Sequence, residues 1–183
     1  MNILHVGLDV GSTTVKIIVM NEEKEVIYSN YQRHFSDTKN TVCMVLENLL
    51  KMYPDCKFTL ALTGSGAMSA AKFLDVKFIQ EVVSCKRAVE KYIPSTDVVI
   101  ELGGEDAKII YFDKSIEQRM NGTCAGGTGA FIDQMASLLH TDPTGLNELA
   151  KNHQMIYPIA SRCGVFAKTD IQPLLNEGAA KED

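Results

Sequence analysis

No run of apolar residues in this 183-residue chain is long enough to cross a bilayer. A basic leader is missing as well. Met1-Asn2-Ile3-Leu4-His5-Val6-Gly7-Leu8-Asp9-Val10 has no positive n-region and reads as a first strand, so the N-terminus is expected to be the native one. Basic charge is scarce: 18 Lys and Arg stand against 23 Asp and Glu, a formal charge of -5. That excludes nucleic acid as the main partner, because phosphate backbones are bound by clustered cations. Low-complexity tracts and short repeats are absent. Cysteines are few and odd in number, five in all (Cys43, Cys56, Cys85, Cys124, Cys163). A disulfide framework is therefore not expected, and a reducing, cytoplasmic setting suits the chain. The remainder, 45% hydrophobic and 22% charged, has the composition of a globular protein with one core or two small lobes.

The pattern of the chain predicts an α/β fold. Strands are expected over Ile3 to Val10, Val15 to Met20 and Glu25 to Tyr31, joined by two tight turns and hence antiparallel. Val42, Val45, Leu46, Leu49, Leu50 and Tyr53 recur at helical spacing, with Ser36 or Asp37 as cap and Pro54 as stop. Then follow strand Phe58 to Leu62, helix Ala67 to Leu74, strand Val76 to Ile79 and helix Glu81 to Tyr92. A buried strand is expected over Asp97 to Leu102, and another over Ala107 to Phe112 that turns at Asp113-Lys114. Helices are predicted over Gly126 to His140, Pro143 to Asn152 and Thr169 to Asn176, the last with Pro173 near its first turn. Strands and helices alternating after a meander suggest a mixed sheet in an α/β sandwich.

Four segments carry chemistry. Asp9-Val10-Gly11-Ser12-Thr13-Thr14-Val15-Lys16 is a strand end, a glycine turn with hydroxyl residues, and a lysine on the returning strand. Glycine lets backbone N–H groups approach an anion, Ser and Thr add donors, and Asp9 is placed to hold Mg²⁺ through water. Glu101-Leu102-Gly103-Gly104-Glu105-Asp106-Ala107-Lys108 repeats the design. Crowded carboxylates there need a cation or donors. The bland alternative for both is a polar hairpin turn facing solvent. Asn121-Gly122-Thr123-Cys124-Ala125-Gly126-Gly127-Thr128-Gly129 and Ser161-Arg162-Cys163-Gly164 place two cysteines in glycine-rich settings just before predicted helices. A helix N-terminus favours thiolate, the form that binds soft metals and iron–sulfur clusters. Two cysteines are too few for a four-cysteine cluster, so a second copy of the chain would have to supply the rest. The competing reading is two ordinary cysteines in loops.

Two hairpin-borne phosphate loops, one per lobe, resemble the actin-like ATPase fold shared by actin, hexokinases and heat-shock chaperones. Taken with the two cysteine segments, the chain resembles, over Gly7 to Gly178, the activator family of 2-hydroxyacyl-CoA dehydratases and benzoyl-CoA reductases. The resemblance implies lobes over residues 1–100 and 101–183, the second incomplete. It implies ATP and Mg²⁺ at Asp9, Gly11, Ser12, Thr13, Thr14 and Lys16 in the first loop. In the second loop it implies Glu101, Gly103, Gly104, Glu105, Asp106 and Lys108, with Gly126 and Gly127 nearby. It further implies a homodimer sharing one [4Fe-4S] cluster through Cys124 and Cys163 of each subunit. The partner would be a CoA-ester dehydratase or reductase, and the electron donor a reduced ferredoxin or flavodoxin.

This sequence departs from the family's Asp-Ile-Gly-Gly-Gln-Asp pattern at Glu101 and Glu105. Glu101 can still hold Mg²⁺ through water; an ionised Glu105 cannot donate to a phosphate. The family's second-lobe adenosine motif is missing, and the chain stops after Asn176 without closing another element, so it reads as a fragment of a longer protein. Cys43, Cys56 and Cys85 are expected to be packing residues. His5 reads as a satisfied strand residue, and His34, His140 and His153 as surface residues. Glu81 either suits its helix dipole or lies near the cleft. Arg119 and Arg162 either offset cluster charge or pair with surface Glu. Two other functions stay open: a small-molecule kinase of the same fold, and a non-catalytic ATPase-like module.

Overall fold

A computed structural model describes residues 2–112, 116–121, 126–161 and 163–183. The chain divides into two compact units, Met1–Val98 with Phe112–Ile116, and Val99–Tyr111 with Glu117–Asp183.

In the first unit a five-stranded sheet has the order β3-β2-β1-β4-β5. Its strands are β1 (Ile3–Val10), β2 (Thr14–Met20), β3 (Val26–Arg33), β4 (Lys57–Thr63) and β5 (Lys77–Phe78). The first three form an antiparallel meander, while β1 pairs with β4 and β4 with β5 in parallel. β1 shows why the sequence chooses this layout. Leu4, Val6, Leu8 and Val10 alternate onto one face and are buried, and Asp9 points to the opposite, half-exposed face. Val15, Ile17 and Val19 of β2 extend that core, and Val42, Val45 and Leu49 of helix α1 (Thr38–Met52) cover it. Helix α2 (Ala67–Phe73) adds Ala67 and Ala71, and helix α3 (Glu81–Tyr92) completes the unit. The parallel β1–β4 register sets Asp9 beside Thr63. Both strands therefore deliver their following loops, residues 11–13 and 64–66, to the same edge.

The second unit holds three-stranded β6-β7-β8, with β6 (Val98–Leu102), β7 (Ala107–Phe112) and β8 (Ile116–Met120). Helices α4 (Gly129–Leu138), α5 (Pro143–Ala150) and α6 (Gly164–Asn176) follow. Its buried residues include Ile110, Thr128, Met135, Ala136 and Ala167. Asp142 caps α5, its carboxylate accepting the Gly145 N–H at 2.7 Å. Asp142→Ala is expected to lower the unfolding free energy by about 1 kcal/mol, measured by urea denaturation.

Several expectations need correction. β8 was not anticipated, since Ile116-Glu117-Gln118-Arg119-Met120 is mostly polar and lies at a sheet edge. β6 is not a buried strand: Val98, Ile100 and Leu102 share an exposed face. α6 starts at Gly164 rather than Thr169, and Pro173 lies inside it, beyond the first turn. Its first apolar residues, Val165 and Phe166, are exposed, so inward-facing periodicity could not reveal that turn. α4 starts at Gly129, three residues later than expected, because Gly126 and Gly127 form a turn, with Gly127 at φ +81. Cys43 is exposed rather than packed, and Cys56 is half-buried against the first core. His34 is buried, not a surface residue.

Candidate functional site: two carboxylate–glycine–lysine hairpins and a cysteine-capped helix

The β1–β2 hairpin brings Asp9, Gly11, Ser12, Thr13, Thr14 and Lys16 together. The Gly11 N–H donates to the Thr14 carbonyl at 2.9 Å, closing the turn. Across the strands Asp9 faces Lys16, whose Nζ donates to Asp9 Oδ2 at 2.8 Å. Lys16 also lies 5.6 Å from the Tyr31 ring centroid, over a face that attracts cations. Thr14 is buried, whereas Ser12 is exposed and Thr13 half-exposed. Among the described residues neither the Ser12 nor the Thr13 N–H has a backbone acceptor. A Cβ on Gly11 would find only ordinary contacts, 3.5 Å from the Thr14 carbonyl oxygen and 3.8 Å from Lys16 Nζ. Packing does not demand glycine there. Its absent side chain leaves a space beside an ammonium and two unspent amides, the donor set that suits a phosphate.

Asp9 is held in an unusual way. Its Oδ1 is buried and has no hydrogen-bond partner among the described residues. The cover is Gly64, at φ +98, whose added Cβ would overlap Asp9 Oδ1 and the Val10 carbonyl oxygen. Gly66 N–H donates to that Val10 carbonyl at 2.8 Å. Lys16 compensates one carboxylate oxygen and nothing compensates the other, although buried oxygens are normally satisfied. Lys16 therefore balances this carboxylate only in part, and a hard oxygen donor of that kind is chemically suited to a hydrated divalent cation. Sequence reasoning missed Gly64 and Gly66; two glycines directly after a strand parallel to β1 were the available signal.

The β6–β7 hairpin repeats the arrangement. Gly103 N–H donates to the Asp106 carbonyl at 2.8 Å, as Gly11 does to Thr14, and Lys108 Nζ donates to Glu101 Oε1 at 3.2 Å, as Lys16 does to Asp9. Carboxylate, glycine, turn acceptor and lysine thus recur at one constant offset along the chain. Glu101 and Lys108 are the more enclosed pair, with side chains 29% and 12% exposed. Glu105 and Asp106 are exposed at the tip, and Gly104 is half-buried. Here packing does demand glycine: a Cβ on Gly103 would sit 2.8 Å from the Asp106 carbonyl oxygen. The start of α4 is tied to this loop, Gly129 N–H donating to Gly103 at 2.9 Å and Ala130 N–H to Gly104 at 2.8 Å.

Cys163 is the half-buried N-cap residue of α6. Next to it, a Cβ on Gly164 would come within 2.8 Å of the Phe131 ring and 3.2 Å of Gly126 Cα. The cysteine-capped end of α6 is therefore packed against the turn that leads into α4. A thiol on a helix N-terminus, with small residues around its backbone, is a donor chemically suited to an iron–sulfur cluster. Cys124 and Arg162 lie outside the described residues. The N-cap residue of α4 is Thr128. Arg119 pairs with Glu117 at 2.7 Å, and the hydrogen bond and charge of Glu117 raise its already high pKa. That is the surface pairing of the two alternatives considered for it. His5 Nδ1 lies 2.8 Å from Thr59 Oγ1, a satisfied strand histidine as expected.

No helix among the described residues is long and apolar enough to cross a membrane. The chain is 33% identical to the (R)-2-hydroxyglutaryl-CoA dehydratase activating ATPase of Acidaminococcus fermentans, an alignment covering 100% of this chain and 72% of that protein. It is 33% identical to the 2-hydroxyisocaproyl-CoA dehydratase activator of Clostridioides difficile, covering 97% of this chain and 68% of that one. Among solved structures, the Clostridium difficile activator of the 2-hydroxyisocaproyl-CoA dehydratase with bound ADPNP superposes with a TM-score of 0.84 at 32% identity, over 100% of this chain and 69% of that chain. Component A of the Acidaminococcus fermentans (R)-2-hydroxyglutaryl-CoA dehydratase gives a TM-score of 0.82 at 30% identity, over 99% of this chain and 71% of that chain. These likenesses establish the actin-like α/β fold. Residues 6–183, which hold both carboxylate–glycine–lysine hairpins and both cysteine segments, match the BadF/BadG/BcrA/BcrD ATPase family, and the chain belongs to it.

Proposed function

We propose that this protein is the ATP-hydrolysing activator of a 2-hydroxyacyl-CoA dehydratase or a benzoyl-CoA reductase-like enzyme, and that it drives a low-potential electron into that partner. The observation that carries this reading is the twin carboxylate–glycine–lysine hairpin, one copy in each unit. Ser12, Thr13, Gly103 and Gly104 would present backbone and hydroxyl donors to phosphates, with Gly126 and Gly127 in a supporting turn. Lys16 and Lys108 would neutralise phosphate charge. Asp9 and Glu101 would arrange hydrated Mg²⁺, while Glu105 and Asp106 at the tip of the second loop would orient water. Cys124 and Cys163 would hold a [4Fe-4S] cluster together with the same residues of a second copy. When bound, that cluster supplies the one-electron chemistry. A reduced ferredoxin or flavodoxin would be the donor, in the cytoplasm. Nucleotide can drive such transfer only by binding two conformations of the dimer with different affinity.

Anaerobic iron and acid-labile sulfide analysis of the full-length protein tests this, alongside Cys124→Ser and Cys163→Ser. About four irons per dimer, lost in either variant, are expected for a cluster with four shared cysteine ligands. A full-length protein without iron that phosphorylates a small hydroxylated substrate would replace the activator with a kinase.

A further inference from the structure

We propose that His34 is a positioning residue for nucleotide binding: its neutral imidazole, held as the Nε2–H tautomer, aims the Ser12 N–H of the first phosphate loop. The proposal rests on the nucleotide reading of that loop.

His34 follows β3 and is 6% exposed. Its hydrogen-bonding groups are engaged on two sides. Toward α1, Nδ1 accepts the Ser36 backbone N–H at 3.1 Å and lies 3.4 Å from Thr38 Oγ1, while the His34 carbonyl accepts the Asp37 N–H at 2.7 Å. Toward the loop, the His34 N–H donates to the Thr13 carbonyl at 3.2 Å, and Nε2 lies 3.2 Å from the Gly11 carbonyl oxygen. A backbone N–H can donate only to an unprotonated ring nitrogen. Nδ1 is therefore the acceptor, and the proton sits on Nε2, where it is donated to Gly11.

The consequence passes through a peptide plane. In a trans peptide the C=O and the next N–H point in opposite directions, and no cis bond occurs among the described residues. Fixing the Gly11 carbonyl toward His34 fixes the Ser12 N–H away from it, at an exposed position where no backbone group among the described residues accepts it. The backbone is strained to allow this. Phe35 and Ser36 are consecutive non-glycine residues at φ 45 and φ 67, which turns the Ser36 N–H back onto the ring. Left-handed residues of this kind persist where surrounding contacts over-determine them, and they concentrate at functional sites. Phe35 itself is 83% exposed, so burial of its ring is not what holds the turn.

Two substitutions separate the loop from the turn. In His34→Asn the side-chain oxygen can still accept from Ser36 but no donor reaches Gly11. In His34→Gln the amide can reach Gly11. Calorimetric titration of the full-length protein with Mg-ADPNP is expected to show His34→Asn weakened about tenfold, as for one lost hydrogen bond, and His34→Gln within about threefold of wild type. Long-range ¹H–¹⁵N spectra of the wild type are expected to show Nε2–H, and this reading does not depend on either variant folding. Equal affinity of His34→Asn and wild type, a His34→Gln as weak as His34→Asn, or an Nδ1–H tautomer would each overturn the proposal while leaving nucleotide binding intact. A wild type that binds no Mg-ADPNP would overturn the nucleotide reading and this proposal with it.

Discussion

Gly64→Ala is expected to lower the unfolding free energy by about 3 kcal/mol and to abolish detectable Mg-ADPNP binding. Two independent causes act at one atom. The residue sits at φ +98, where an L side chain is strained, and its Cβ would overlap both Asp9 Oδ1 and the Val10 carbonyl oxygen. Neither neighbour can yield easily. Val10 is fully buried, and its carbonyl already accepts the Gly66 N–H at 2.8 Å. Relief by moving Asp9 would break the pairing of Oδ2 with Lys16 and turn the carboxylate out of the loop. Urea denaturation and titration on the same samples read both effects. A Gly64→Ala protein with wild-type stability would mean that the loop after β4 relaxes freely and does not seal Asp9.

Asp9→Asn separates stability from activity in the opposite sense. Removing a pre-organised charge at a reacting phosphate typically costs on the order of 10²–10³ in turnover, and that loss is expected in Mg-ATP hydrolysis by the intact protein. Folding stability should not follow it down. The pair with Lys16 is partly exposed, with side chains 37% and 26% exposed, and such pairs contribute at most about 1 kcal/mol. Against that small loss, the substitution discharges a buried oxygen that has no donor. The urea midpoint is therefore expected to stay level or to rise. A marked fall in stability together with unimpaired hydrolysis would assign Asp9 to structure alone.

The meander and its core could be read from the sequence because one face of β1 alternates so strictly: Leu4, Val6, Leu8 and Val10 can point only one way. The two phosphate-loop candidates were legible for a related reason, an acidic residue at a strand end followed by glycine and then lysine. What escaped was anything whose role depends on non-local closure. His34 lies in Arg33-His34-Phe35-Ser36-Asp37, a stretch that looks like a surface loop; its burial comes from loop residues over twenty positions earlier. Gly64 marks a strand end in sequence and becomes a cover for Asp9 only through the parallel β1–β4 register. The start of α6 was hidden because Val165 and Phe166 face outward, so the pattern that usually reports a helix begins later than the helix does.

The ties at the start of α4 have a mechanical consequence. Gly103 and Gly104 are bonded through their carbonyls to the Gly129 and Ala130 amides, and a few residues away the backbone of Gly164 rests on Gly126 and Phe131 without room for a methyl group. The first joint is backbone to backbone and directional; the second is steric, with the Gly164 backbone against the Phe131 ring and Gly126 Cα. A displacement of the β6–β7 hairpin tip therefore reaches the start of α4 through two hydrogen bonds, and passes on toward the Cys163 backbone through the packing of Gly164 on the Phe131 ring and Gly126.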